Sequence, residues 1–185
     1  ARNKKFNRKS ELLYQTVELM SAADNILTGS SPYPAEEINQ GWETILLNQF
    51  HDILPGSSIK EVYEDSKEQY LKLLEKGRSL LERSIKSIAG NIGLKGPSIV
   101  IFNQLSFDRK DIVTAKLPEG FNDVEIVDKN GNVVPSQIDA GNNLVFVADG
   151  VPSMGYSTYS IRNKNADGGC GLSENKPAAE KRFDR

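Results

Sequence analysis

The residue period changes once along this chain, and that change limits the fold more than any other feature. Up to Gly90-Asn91 the apolar residues recur every three or four positions, the spacing of a helix with one buried face. After Gly93-Leu94-Lys95-Gly96-Pro97 they alternate in short runs, the spacing of half-buried strands. The spacing predicts a helical half followed by a sheet half.

In the first half, Leu12, Leu13, Val17, Met20, Ala22, Ala23, Ile26 and Leu27 predict an amphipathic helix over residues 10–27. Thr28-Gly29-Ser30-Ser31-Pro32-Tyr33-Pro34 breaks it. A second helix is expected from near Pro34 to about His51. Proline suits a first helical position, Glu36 and Glu37 suit a first turn, and Ile38, Trp42, Ile45, Leu46 and Phe50 form an apolar face. Ser58-Ile59-Lys60-Glu61 has the pattern of a capping box, in which serine takes an orphan amide and glutamate reaches back. From there Ile59, Val62/Tyr63, Ser66, Tyr70, Leu73/Leu74, Gly77, Leu80/Leu81, Ile85 and Ile88 keep helical spacing as far as Gly90. Short connections make this an antiparallel three-helix bundle with its leucine and aromatic stripes in the core.

In the second half, six short strands are expected at 98–102, 111–117, 123–128, 133–139, 144–147 and 156–161. Asn130-Gly131 signals a tight hairpin turn, because glycine accepts the positive φ such turns need. The sum is an antiparallel, sandwich-like β-domain, with too few strands for a large sandwich, so this half is expected to continue elsewhere. The expected organisation is a bundle over 1–92, a β-domain over 93–162 and a linker or tail over 163–185.

Composition excludes some functions. A net charge of −2 lacks the basic excess of a nucleic-acid or membrane-surface protein, and no apolar run approaches the roughly 18 residues of a membrane helix. Hydrophobic residues make up 38% and charged residues 26%, as in a soluble globular protein. A single cysteine excludes an internal disulfide and favours a reducing compartment, hence a cytoplasmic location. The chain opens on basic Ala1-Arg2-Asn3-Lys4-Lys5 without methionine and ends in a charged tail, which predicts a piece of a longer polypeptide.

The chemistry concentrates at Asn48-Gln49-Phe50-His51-Asp52-Ile53-Leu54-Pro55-Gly56. Here the second helix runs into a His-Asp pair before Pro55-Gly56 stops it. His51 is the one histidine in the chain. It either serves the terminal helix carbonyls or acts as a ligand or acid–base group. A zinc site needs three or four His, Cys or carboxylate ligands, so a metal on His51 would draw the others from outside this chain. Cys170, in Gly168-Gly169-Cys170-Gly171, has no histidine nearby in sequence and reads as an incidental thiol rather than a nucleophile. That glycine run is too short for a phosphate loop.

The stretch Trp42-Glu43-Thr44-Ile45-Leu46-Leu47-Asn48-Gln49-Phe50-His51-Asp52-Ile53-Leu54-Pro55-Gly56-Ser57-Ser58-Ile59 resembles the central region of the α-mannosidases of glycoside hydrolase family 38. Asn7-Arg8 leading into a leucine-rich helix resembles that family's first bundle helix. Ile99-Val100-Ile101-Phe102-Asn103-Gln104-Leu105-Ser106-Phe107 resembles the strand opening its C-terminal β-region, with Gln104 where members commonly carry proline. Val151-Pro152-Ser153-Met154-Gly155-Tyr156-Ser157-Thr158-Tyr159 is similar to the closing strand, so the likeness spans roughly residues 2–162.

The resemblance implies a zinc ligand at His51 and a mannose-contacting carboxylate at Asp52. The nucleophile, the general acid and the other zinc ligands are then expected on an N-terminal α/β domain, leaving no catalytic residue in this segment and an inactive isolated chain. A retaining mechanism would use two carboxyl groups roughly 5 Å apart, with zinc on adjacent sugar hydroxyls of an α-mannoside. Homo-oligomerisation and the exact divalent ion stay open. The competing reading is a non-enzymatic interaction module in which His51 is a capping detail.

Overall fold

The computed structural model describes residues 2–29 and 31–164. Cys170 and all of the expected tail beyond Lys164 lie outside them. Three helices come first: α1 (Arg2–Thr28), α2 (Ala35–Asn48) and α3 (Lys60–Gly90). Seven strands follow: β1 (Ser98–Asn103), β2 (Arg109–Lys116), β3 (Val124–Asp128), β4 (Val133–Val134), β5 (Ser136–Ile138), β6 (Asn143–Val151) and β7 (Gly155–Asn163). The chain divides into two compact units, Ala1–Ile88 and Ala89–Arg185.

The helical unit is built on matched heptads. Along α1 the inward positions are Asn3, Asn7, Ser10, Tyr14, Val17, Ser21, Asp24 and Thr28, spaced alternately by four and three. Along α3 the same rhythm gives Ser66, Tyr70, Leu73, Gly77, Leu80, Ser84 and Ser87. Three hydrogen bonds join these rows at a constant offset of 63: Asn3 to Ser66 (3.2 Å), Tyr70 to Asn7 (3.0 Å) and Ser21 with Ser84 (3.2 Å). A constant offset means that α1 and α3 run parallel and in register. Helix α2 runs against both, since Trp42 meets Glu18 while Gln49 meets Glu11, and Asn48 meets Gln69 while Lys76 faces Glu37. The bundle is therefore up-down-up, as its short connections require.

This seam corrects the expected first helix in two respects. Helix α1 starts at Arg2, about two turns early. Its buried row is largely small and polar, while Leu12, Ile26 and Leu27 are exposed. The polar row is tolerated because most of its members are paired; Ser10 Oγ is buried without a partner among the described residues. The core at mid-bundle is Tyr14, Ile45, Tyr70 and Leu73 with Phe6 and Trp42 against them. Tyr14 stands between two helix glycines: a Cβ on Gly41 would lie 1.8 Å from its ring, and one on Gly77 would lie 2.9 Å away. Those glycines let three helices close around one aromatic ring.

In the second unit the expected antiparallel, sandwich-like β-domain is built from two sheets. Strands pair antiparallel in the orders β1-β7-β3-β4 and β2-β6-β5. The run expected as one strand over 133–139 splits at Pro135, which has no amide to donate, so β4 joins one sheet and β5 the other. Inward residues of both sheets, among them Ile99, Ala115, Ile126, Leu144, Phe146, Tyr159 and Ile161, form one apolar core. This is a β-sandwich, as in aligned face-to-face packing. Two hairpin loops share a design. Asp128 accepts from the amides of Asn130 and Asn132, and Asp139 from those of Gly141 and Asn143. The third residue after each aspartate has positive φ, Gly131 at 86° and Asn142 at 58°. Strand β7 continues through Asn163, one residue into the segment expected as linker.

No helix among the described residues is long and apolar enough to cross a membrane.

Candidate functional site

Helix α2 ends at Asn48, three residues before the expected end, with Gln49 as its C-cap. The reason is packing. Ile38, Gly41, Ile45 and Asn48 are buried at helical spacing, but Leu46, Leu47 and Phe50 are exposed at 61%, 60% and 54%. Past Asn48 no buried face within the bundle rewards another helical turn, and Pro55 ahead disfavours one. The chain instead winds through tighter turns: Phe50 N–H donates to Leu47 O, Ile53 N–H and Leu54 N–H to Phe50 O. Gly56 leaves this turn at a φ of 109°, which suits glycine.

The base of the loop is fixed. Asn48, 1% exposed, donates to Thr44 O (2.9 Å) and to Gln69 Oε1 on α3 (2.7 Å). Gln49 donates to Glu11 Oε1 on α1 (2.7 Å). The two residues before Phe50 thus tie α2 to both other helices.

His51 and Asp52 then stand in solvent, their side chains 75% and 53% exposed. His51 Nε2 lies 3.4 Å from Asp52 Oδ2, and its ring leans on Phe50 with centroids 4.2 Å apart. The imidazole is therefore beyond the end of α2, rather than in its last turn as expected, and among the described residues it serves no terminal helix carbonyl. Around it the Asp52 carbonyl collects four bonds: Ser57 N–H (3.2 Å), Ser57 Oγ–H (3.5 Å), Ser58 Oγ–H (2.8 Å) and Tyr63 O–H (3.2 Å). The expected capping box is not made among the described residues: the Ser58 amide donates to the Tyr63 hydroxyl instead of to Glu61, and α3 begins at Lys60. Ile59, expected on the buried face of α3, is exposed. Sequence reasoning missed Tyr63 as a loop residue, since its apolar spacing predicted a core position.

Among the described residues no group of three or more His, Cys, Asp or Glu side chains could hold a metal ion. The structure brings together His51 and Asp52, sets the Ser57 hydroxyl on Asp52 Oδ1 at 3.2 Å, and adds no third such side chain among the described residues. An exposed nitrogen donor beside an exposed carboxylate can bind a cation only as part of a larger set. The carboxylate can also accept hydrogen bonds from sugar hydroxyls.

The description "Alpha mannosidase middle domain" belongs to the family model that matches residues 1–88. Alpha-mannosidase 2C1 of Mus musculus is 33% identical over 128 residues, 69% of this chain and 12% of the mouse protein. An alpha-mannosidase of Saccharomyces cerevisiae is 45% identical over 65 residues, 35% of this chain and 6% of the yeast protein. The chain thus spans only a small part of the curated relatives it matches. Two crystal structures from Enterococcus faecalis share the fold. One, a glycosyl hydrolase family 38 protein, has a TM-score of 0.71 at 18% identity, over 94% of this chain and 26% of that one. The other, an alpha-mannosidase, has a TM-score of 0.73 at 15% identity, over 98% and 24%. Helical segment and curated relatives agree, and the chain belongs to the α-mannosidase family; the two solved structures share its fold.

Proposed function

We propose that the complete protein is a zinc-dependent retaining α-mannosidase acting on terminal α-mannosides. This chain supplies His51 as one metal ligand and Asp52 as a sugar-contacting carboxylate. One observation carries the reading: within a segment matching the α-mannosidase middle domain, a His-Asp pair stands in solvent at a loop whose base is bonded to both neighbouring helices. By their chemistry the two side chains fit one corner of a zinc site but cannot make a whole one, which needs three or four ligands. The remaining ligands, the nucleophile and the general acid are assigned to an N-terminal domain of the same polypeptide. The exposed Leu46, Leu47 and Phe50 beside the loop support an apolar neighbour there.

A zinc ion bound in that site supplies Lewis-acid polarisation of sugar hydroxyls. This chain holds the imidazole on an anchored loop, so its ring nitrogen is presented with little freedom to lose. Asp52 accepts charge-assisted hydrogen bonds from the sugar and fixes its orientation. Covalent attack and leaving-group protonation need two further carboxyl groups about 5 Å apart, which is why the chain alone should be inactive. The single cysteine supports a cytoplasmic enzyme.

Hydrolysis of an aryl α-mannoside tests the reading. The complete enzyme should turn over, its His51→Ala variant should lose activity at an unchanged melting midpoint, and this chain alone should be inert. Near-normal turnover by the variant, or clear turnover by the chain, contradicts it.

A further inference from the structure

We infer that Tyr63 is a positioning residue for the His51-Asp52 pair, acting through the backbone of the loop rather than on substrate. Tyr63 lies in the first turn of α3, which begins at Lys60. Its hydroxyl accepts from Ser58 N–H at 2.9 Å and donates to Asp52 O at 3.2 Å. A phenol has one proton to give, and here that proton goes to the carbonyl of the residue beside the imidazole. The hydroxyl thus bridges the two ends of the 52–58 loop. The same carbonyl receives Ser58 Oγ–H at 2.8 Å and Ser57 N–H at 3.2 Å.

The consequence is geometric. His51 and Asp52 are themselves exposed, and the only side-chain partners of His51 are Asp52 and Phe50 among the described residues. Asp52 Oδ1 accepts from the Ser57 hydroxyl at 3.2 Å; beyond that bond, the direction of the pair is set by the peptide that joins it to the rest of the loop. Asn48 and Gln49 hold that loop from α2, and Tyr63 holds it from α3. Without the hydroxyl, Ser58 N–H loses its acceptor and the Asp52 peptide loses one of its donors, while the ring and its packing remain.

The inference rests on the proposed metal role of His51, so two measurements separate them. In this chain, Tyr63→Phe should speed hydrogen exchange of the Ser58 amide at least about tenfold, because its acceptor has gone. In the complete enzyme, the zinc dissociation constant is read by chelator competition for wild type, Tyr63→Phe, Ser58→Ala and His51→Ala. Loss of an outer partner typically weakens metal binding by about 10–100-fold. Tyr63→Phe should fall in that range, Ser58→Ala should move the same way by less, and the melting midpoint should barely change. Zinc binding within twofold of wild type in Tyr63→Phe, with zinc lost in His51→Ala, overturns the positioning role and leaves the metal reading intact. Unchanged Ser58 exchange overturns it as well. Zinc retained by His51→Ala overturns both.

Discussion

Replacing Gly41 by alanine would ask for a methyl group where the Tyr14 ring already stands. The added carbon would lie 1.8 Å from Tyr14 Cε1, 2.3 Å from Cζ and 2.7 Å from the hydroxyl oxygen. Carbon atoms pack best near 3.5–4.0 Å, so roughly 2 Å of room must open. The ring has nowhere to go. It is 1% exposed, Gly77 on α3 closes its other side, and Trp42 meets it edge-on at 6.2 Å. Overpacking of a close-packed core costs about 1–3 kcal/mol, and a gap of this size belongs at the upper end. Alanine returns about 1 kcal/mol as the better helix former. The balance is a loss of about 2 kcal/mol, a sizeable part of the 5–15 kcal/mol typical of whole domains. Urea unfolding followed by helical circular dichroism measures it. Gly77→Ala is the internal comparison: its Cβ would lie 2.8 Å from Leu13 Cδ2, which can give way, and 2.9 Å from Tyr14 Cε2, a far milder overlap than at Gly41, so its net loss should be no more than about 1 kcal/mol. In a Tyr14→Leu background the Gly41→Ala penalty should largely disappear, since the clashing ring is gone. A Gly41→Ala variant at least as stable as wild type, or a penalty unaffected by Tyr14→Leu, would refute the reasoning.

Other consequences follow from single groups. Burial, and then the charge of Glu11, push the Tyr70 hydroxyl from 10.0 up to about 12. Its folded pKa is raised, so its contribution is complete below pH 10 and is lost as pH rises to 12, a swing of about 2–3 kcal/mol; Tyr70→Phe should flatten the alkaline limb of a stability–pH curve. Ser10→Ala should raise the unfolding midpoint, since it removes a buried hydroxyl without a partner among the described residues and improves helix propensity, together about 1 kcal/mol; a fall of that size would mean the hydroxyl is bonded. Asn142 sits at a φ of 58°, so Asn142→Gly should leave stability unchanged or slightly raised and Asn142→Ala should lower it by about 1 kcal/mol, read from thermal melts.

The parts of the fold that were legible in the sequence are those where apolar side chains carry the period. Helix α3 is one, with Tyr70, Leu73, Leu74, Leu80, Leu81 and Ile88 all buried. The first two turns of α1 were not, because their inward Asn3 and Asn7 are polar and make sense only against their α3 partners 63 positions on. Leu12, Ile26 and Leu27 pulled the expected face round toward solvent for the same reason. The antiparallel strands and their sandwich-like arrangement were legible by alternation, but the break between β4 and β5 turned on Pro135, whose missing amide says that pairing ends without saying where the chain goes next. At the site, His51 and Asp52 stood out through the residues around them. The early end of α2 did not, because Leu46, Leu47 and Phe50 look like core until the fold leaves them exposed. Tyr63 was hidden because hydrogen bonds that fold a loop back on a helix leave no periodic trace.

Anomalous diffraction at the zinc edge from crystals of the complete enzyme tests the proposed site most directly. The account predicts a peak about 2.0–2.1 Å from a ring nitrogen of His51, the usual zinc–histidine distance, with the other donors from a separate domain. A peak bound elsewhere, with the His51 ring free in solvent or packed against protein, would contradict it.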